Sequence, residues 1–360
     1  MTILLIRLRL IGDVVFTTPL IHALRNRYPE ARLLYVVESA AAPVVAHNRH
    51  LSGVIVVPHS RGLRRLRDDV TLVRRVRAER CDLAIDLHGG PRSAWLAWTS
   101  GAPRRIGYDI QGRSWMYTDV VHRPRGLHPR HSVENQWDLL TAVDASFAGA
   151  ADRSRFRVEM AATSEARASI AAHLAKHGIS ETDAGTQLVV LHVSAGNPFR
   201  RWPEQAFADV AAGLVAQSPD RFVLVTAGPS DREAAQRVLS AARNRAGDAA
   251  LRIIDAEQFS LDELRAVLDR SALYIGGDSG PLHIAATSDV PIVGLYGPTL
   301  PERSAPWRPP HLATVSVDAG ELPCRPCDQR VCTPGDFRCL TSIGAGTVLT
   351  AAEKILEGAS

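Results

Sequence analysis

The 360-residue sequence predicts an α/β protein made of two parallel-sheet halves facing across a cleft. Three observations predict it. Short apolar runs that do not alternate with polar residues read as strands buried on both faces. Helical patterns separate successive runs, giving the β-α-β-α order of a parallel sheet covered by helices. The length suits two cores rather than one. Each half therefore reads as Rossmann-like.

In order, Ile3 to Arg7 is a first strand, and a helix runs from about Val14 to Arg25. Asp13 then sits at a strand-to-helix turn, as N-cap or first-turn residue. Further strands fall at 32–37, 54–57 and 82–87, the last following Cys81. The section 103–129 is rich in Arg and reads as irregular, and 131–142 reads as a helix. The stretch 150–186, with a helix near 165–177, holds the domain junction. The boundaries expected are 1–160, 161–345 and a closing helix over 346–360. In the second half, strands are expected at 188–193, 222–226 and 251–254, and helices at 203–216 and 231–244. Ser260-Leu-Asp-Glu263 is a capping box opening another helix. A βαβ unit follows: strand 272–275, the turn Gly276-Gly-Asp-Ser-Gly280, a helix with Pro281 near its start, and strand 291–296. The section 301–339 is expected to be mostly loop.

Composition excludes several classes. Hydrophobic residues are 46 % and charged residues 22 %, ordinary for a globular chain. No apolar run is long enough to span a membrane, and the first residues lack the features of a signal peptide; cytoplasmic residence is the expectation. A net charge of +4 is too small to imply nucleic acid. The arginines Arg61, Arg64, Arg65, Arg67, Arg74, Arg75, Arg77 and Arg80 form either a solvated helix face or a patch for an anionic acceptor or lipid surface.

Motif absences narrow the chemistry. There is no G-x-G-x-x-G after the first strand, no P-loop and no G-x-S-x-G. No D-x-D occurs, so charge on a leaving diphosphate has to be met by backbone N–H groups and Arg side chains instead of a carboxylate-held metal. Two turns qualify. One is Asp278-Ser279-Gly280, with His283 a further candidate for touching phosphate or sugar. The other is Ser194-Ala-Gly-Asn-Pro-Phe-Arg-Arg-Trp-Pro203, where Ser194 and Gly196 suit close approach to an anion and Arg200 and Arg201 bring charge to a helix start. The alternative for that loop is solvated arginines beside a packing Trp202. Asp13 is the candidate general base, or else an ordinary N-cap. His88 is a weaker candidate. Cys324, Cys327, Cys332 and Cys339 have spacing for four thiolates on one Zn²⁺ or Fe, or for reduced cysteines packing a Pro-rich loop.

Several blocks resemble the ADP-heptose:lipopolysaccharide heptosyltransferases of glycosyltransferase family 9. They are Ile3 through Pro19, Arg104-Arg-Ile-Gly-Tyr108, Arg200-Arg-Trp-Pro203, Gly277-Asp-Ser-Gly-Pro-Leu-His283, Gly294-Leu-Tyr-Gly-Pro-Thr299 and Cys324-Arg-Pro-Cys327. The resemblance covers nearly the whole chain in the right order. It implies a GT-B fold and metal-independent, inverting transfer of a sugar, heptose from ADP-heptose by default, to a lipid A–core or related glycan. The family's catalytic Asp falls on Asp13, and its Asp-Thr-Gly turn on Asp278, Ser279 and Gly280. Its diphosphate-binding Lys falls on Arg200, a change of reach and geometry. A carboxylate near the donor nucleoside falls around Ser230 and Asp231. On charge rather than resemblance, the N-terminal half, with Gly12, Arg64, Arg92 and Arg105, is expected to meet the acceptor, with peripheral contact at the cytoplasmic face of the inner membrane. The alternatives are an epimerase-like GT-B enzyme and a non-catalytic nucleotide-sugar or metal-binding module.

Overall fold

The computed structural model describes residues 1–57, 62–122, 130–180, 185–193, 198–327 and 331–358; within these, the side chains of 63–66 and 198 are outside the description. The chain divides into two compact units, Met1–Ala161 and Ala162–Ser360.

The first unit runs β1 (Thr2–Ile6), α1 (Ile11–Val15), α2 (Thr18–Arg27), β2 (Arg32–Glu38), α3 (Ala42–Ala46) and β3 (Gly53–Val57). It continues with α4 (Leu63–Ala78), β4 (Leu83–Asp86), α5 (Pro91–Thr99), β5 (Arg104–Tyr108), β6 (Asp119–Val121) and α6 (Ser132–Val143). The sheet order is β3-β2-β1-β4-β5-β6, with parallel pairing throughout. Leu4 and Ile6 join Leu34, Val36, Ile55, Leu72, Val76, Ala94 and Ala97 in one core layer. Ile3 and Leu5, which point the other way along the strand, are equally buried. Burial on both faces is why β1 reads as an unbroken apolar run.

Two differences from the sequence reading have local causes. The single helix expected over 14–25 is two, α1 and α2. The Thr17 and Thr18 hydroxyls bond back to the carbonyls of Val14 and Val15, at 2.6 and 2.8 Å, and Pro19 near the start of α2 brings no N–H. The section 103–129 is not simply irregular, since it contains β5 and β6. Arg104 hides that edge from a hydrophobicity reading because it pairs across to Asp119 on β6 (3.1 Å).

The second unit runs α7 (Ser164–Ala175), β7 (Gln187–His192), α8 (Glu204–Gln217), β8 (Arg221–Thr226), α9 (Arg232–Ala246), β9 (Ile253–Asp255), α10 (Leu261–Leu268) and β10 (Leu273–Gly277). Then come α11 (Gly280–Ala285), β11 (Ile292–Tyr296), α12 (Pro301–Ser304), β12 (Thr314–Asp318), α13 (Arg338–Thr341) and α14 (Ala345–Gly358). Sheet order is β12-β11-β10-β7-β8-β9, again parallel. β12 lies inside the section read as loop; only Val317 of its five residues is buried, as suits an edge strand. Ser260 and Glu263 form the expected capping box at the start of α10.

Counted within its own unit, each sheet has strand order 3-2-1-4-5-6. That order reverses between the first and fourth strands, β1/β4 in one unit and β7/β10 in the other. Ligands of open α/β sheets bind beyond the carboxyl ends of the strands at such a switch point.

Candidate functional site

In the first unit, Asp13 lies in the first turn of α1, just past the carboxyl end of β1, with its side chain 28 % exposed. The turn leading to it is tight: Leu10, at the N-cap, has φ of 69°, a backbone conformation that costs a non-glycine residue about 1 kcal/mol or more. Arg7 directly follows β1 and is buried; its guanidinium pairs with the Asp13 carboxylate and also donates to the Leu87 carbonyl at 2.7 Å. Gly12 is buried beside Asp13 on the same turn.

The neighbouring end of β4 is held by Asp86, which is fully buried. Its carboxylate accepts from the backbone N–H of His88 and Gly89 (both 2.9 Å), from Ser93 Oγ (2.9 Å) and from Tyr117 Oη (2.7 Å). Burial raises its pKa against the lowering effect of those four donors. The His88 ring, which follows, is pushed down to about 4 by burial and by the charges of Arg7 and Arg9, so it is neutral at pH 7.

Arg92 and Arg105 are not part of a free patch. Arg92 on α5 is paired with Asp69 (2.5 Å) and Glu38 (3.4 Å). Arg105 donates to the carbonyls of Met116 and Ala102, both at 2.8 Å. These guanidinium groups brace the fold, leaving little of their charge facing outward. Arg74, Arg75 and Arg77 are exposed on α4, whose Leu72 and Val76 face inward. Arg64 and Arg65 lie on α4 with side chains outside the described residues, and Arg61 lies outside them entirely.

In the second unit, four adjacent parallel strands present their carboxyl ends side by side. Asp278 follows β10 and is 2 % exposed. Its Oδ2 meets Arg200 Nη1 at 3.1 Å and accepts a short hydrogen bond from Thr299, which follows β11. His283 Nε2 lies 3.6 Å from the other oxygen, and Arg200 also donates to the Asp278 carbonyl at 3.2 Å. Burial pushes the Asp278 pKa up, but His283, Arg200 and Thr299 outweigh it and hold the carboxyl at about 2. Asp278 is therefore an anion whose Oδ2 has its partners, while the buried Oδ1 has, among the described residues, only His283 Nε2 at 3.6 Å and no hydrogen bond. It aims Arg200, whose side chain is 29 % exposed. Ser279 caps α11 and its hydroxyl bonds back to the Gly277 carbonyl (3.2 Å); Gly280 is the first residue of that short helix, and His283 is buried in its last turn.

The next residue repeats the arrangement. Arg201 pairs with Asp231, buried after β8, and Ser230 Oγ lies 3.0 Å from that carboxylate's other oxygen. Two consecutive arginines after β7 are thus anchored to carboxylates at the ends of β10 and β8. Beneath them, His192 Nδ1 lies 2.9 Å from Thr226 Oγ1, and burial pushes its pKa down to about 4. Ser194 and Gly196, expected to approach the anion, lie outside the described residues.

The cysteine segment also reaches this region. Cys327 N–H bonds the Pro298 carbonyl (3.1 Å), and Arg325 donates to the Thr299 carbonyl at 3.0 Å while pairing with Asp318 at 2.9 Å. The four cysteines are free thiols; burial and the neighbouring Cys324 and Cys332 raise the pKa of Cys339. Among the described residues, the group of three or more His, Cys, Asp or Glu with ligand atoms all within 4.8 Å of one another is His22, His50 and Glu159. The cysteine quartet is not such a group.

The sequence reading missed two members of the site, Arg7 and Thr299. A charge closing an apolar strand was the available signal for the first. The second ends Gly-Pro-Thr after β11, a position read only as a strand end.

Two parallel sheets of Rossmann order, with polar side chains gathered at the switch points, define the fold class as GT-B. The model of glycosyltransferase family 9 (heptosyltransferase) matches residues 70–335, and the chain belongs to that family; it is a glycosyltransferase. Lipopolysaccharide heptosyltransferase 3 of Escherichia coli is 25 % identical over 360 residues, 98 % of each chain. A glycosyl transferase family 9 structure from Veillonella parvula DSM 2008 superposes with TM-score 0.83 at 23 % identity, covering 99 % of this chain and 97 % of that one. The E. coli ADP-heptose lps heptosyltransferase II structure gives TM-score 0.79 at 20 % identity, covering 100 % and 99 %. At those identities the structures carry the fold. Family membership leaves the epimerase-like and non-catalytic readings without support. No helix among the described residues is long and apolar enough to cross a membrane.

Proposed function

We propose that the chain transfers heptose from ADP-heptose to a sugar of a lipopolysaccharide core or related glycan, inverting the anomeric centre, without a catalytic metal. The observation that carries this reading is the pair of anchored arginines at the carboxyl ends of β7, β8 and β10. Arg200 and Arg201 supply two positive charges at the switch point of the second sheet, where a nucleotide diphosphate is expected to lie. The backbone N–H groups of Ser279 and Gly280, with Ser194 and Gly196, add uncharged donors; His283 supports the turn through Asp278. Ser230 and Asp231, at the end of β8, are assigned to the nucleoside side. The names of the curated relatives and of the E. coli neighbour favour heptose and ADP.

In the reaction, Asp13 takes the proton of the acceptor hydroxyl as its oxygen bonds to the donor's anomeric carbon. The bond from that carbon to the diphosphate breaks on the opposite face. Arg200, Arg201 and the turn N–H groups stabilise the charge released on the diphosphate. Only the arginines and N–H groups have to meet developing charge, so no metal is needed for the step. The acceptor side is assigned to the first unit, at Gly12, Arg64, Arg92 and Arg105, although the internal bonds of Arg92 and Arg105 make them positioning groups at most. The exposed arginines of α4 are assigned to peripheral contact with the cytoplasmic face of the inner membrane, a reading that rests on charge alone. A calorimetric screen of ADP-, GDP- and UDP-sugars, followed by product analysis with acceptor, tests the whole. ADP-heptose binding with transfer supports it. Tighter binding of a GDP- or UDP-sugar, or sugar conversion without acceptor, contradicts it.

A further inference from the structure

We propose that His22, His50 and Glu159 form a binding site for one divalent transition ion of the zinc class, separate from the transfer site. The three residues come from segments far apart in sequence: α2, the loop between α3 and β3, and the stretch that ends the first unit. His22 Nδ1 lies 3.3 Å from Glu159 Oε1, and His50 Nε2 lies 3.2 Å from Glu159 Oε2. All three ligand atoms fall within 4.8 Å of one another. Two imidazoles and one carboxylate form a donor set that zinc accepts, with a fourth position left for water.

The geometry is held from outside, as a ligand set needs to be. Arg25 donates to the His50 carbonyl through Nε and Nη2, at 3.1 and 3.0 Å, and the His50 N–H bonds Asn48 Oδ1 at 2.9 Å. The Glu159 N–H bonds Thr18 Oγ1 at 2.8 Å. The two imidazole rings stack at 4.3 Å, and Phe156 meets the His22 ring edge-on at 5.3 Å. His22 Nδ1 is shut off from solvent and makes no hydrogen bond of acceptable geometry, so it is a ligand atom with unused capacity. Two cations face the cluster. Arg25 is committed to carbonyls of His50, Pro29 and Ala31. Arg49 Nε donates to His50 Nε2 at 3.3 Å and its Nη2 lies 3.8 Å from Glu159; the side chain is 78 % exposed, so a bound ion that takes His50 Nε2 displaces it into water at little cost. Glu159 stands two residues before Ala161, the last residue of the first unit. A bound ion therefore clamps the end of that unit onto α2 and the α3–β3 loop. Its role is structural and independent of the transfer reaction.

The test uses the full chain, stripped with chelator and titrated with Co²⁺, with the four C-terminal cysteines changed to serine to remove thiolates. One equivalent of Co²⁺ with visible d–d bands and no thiolate charge-transfer band is expected. Glu159→Gln and His22→Ala each weaken it by more than about 100-fold, beyond what loss of an outer-sphere partner costs. No stoichiometric uptake, or uptake unchanged in Glu159→Gln, overturns the proposal. Should the four-serine variant not fold, zinc-edge X-ray absorption on the unaltered chain decides it. A nitrogen and oxygen shell lost in Glu159→Gln supports the site, and a sulfur-only or absent signal overturns it.

Discussion

The Arg7 guanidinium joins the Asp13 carboxylate to the Leu87 carbonyl, coupling the turn after β1 to the end of β4. Both strands flank the switch point of the first sheet, so one buried cation fixes where the proposed base stands. Replacing Arg7 by Leu is expected to leave the sheet intact and release Asp13 to other rotamers. A misplacement of about 1 Å costs up to about 100-fold in rate. The expected result is a fall in kcat of that order with unchanged affinity for ADP, and partial recovery in Arg7→Lys. Steady-state kinetics beside calorimetry reads both.

Arg200 and Asp278 give a second prediction. A charged hydrogen bond to an anion contributes about 1.5–3 kcal/mol, or roughly 10- to 100-fold in affinity. Arg200→Ala is expected to weaken ADP binding by that factor and also to destabilise the unit, because Asp278 loses a partner while 2 % exposed. The double variant Arg200→Ala with Asp278→Asn removes the orphaned charge. It should recover stability in urea unfolding and still bind ADP weakly, which separates the two roles.

Stability should fall with acid in two stages. His192 has its pKa held at about 4, below the usual value of a free imidazole. The unfolded chain takes up its proton first, near pH 6.5, so this contribution is full above that pH and is lost as pH falls to about 4. His50 and His88, also held at about 4, act in the same window. Asp278, held at about 2, contributes above pH 4 and is lost as pH falls from there toward 2. His192→Asn should flatten the slope of unfolding free energy between pH 6.5 and 4, measured by urea titration, without altering the lower stage.

Gly107 carries the fourth prediction. A Cβ there would lie 2.3 Å from the Tyr117 ring, and Tyr117 is one of the donors to buried Asp86. Gly107→Ala is expected to cost about 1–3 kcal/mol by overpacking. Gly346→Ala, on α14 with nothing within 4 Å, serves as the control and should be neutral or slightly stabilising.

The parts of this protein that were legible in its sequence are those decided by local pattern. Unbroken apolar strands such as β1, β7 and β10 announce burial on both faces. The turns after them announce themselves by glycine, by proline at a helix start and by the charges that follow. What escaped was set by partners distant in the chain. β5 and β6 were obscured because Arg104 finds Asp119 across the edge of the sheet. Asp278 reads as a ligand group, yet its Oδ2 is taken by an ion pair with Arg200 and a hydrogen bond from Thr299. The basic character of Arg92 reads as a surface charge until Asp69 and Glu38 meet it. The His22, His50 and Glu159 cluster had no local signature, since its members are joined only by folding.

The most direct test of the proposed chemistry is the turnover of Asp13→Ala with ADP-heptose and a core-glycan acceptor, beside the affinity of the same variant for ADP. Loss of a general base predicts a fall in turnover of about 10²- to 10⁴-fold, with ADP binding unchanged because the arginines proposed for the diphosphate belong to the other unit. Turnover within a few-fold of the unaltered chain would contradict the assignment of Asp13, and loss of ADP binding in parallel would contradict the division of labour between the two units.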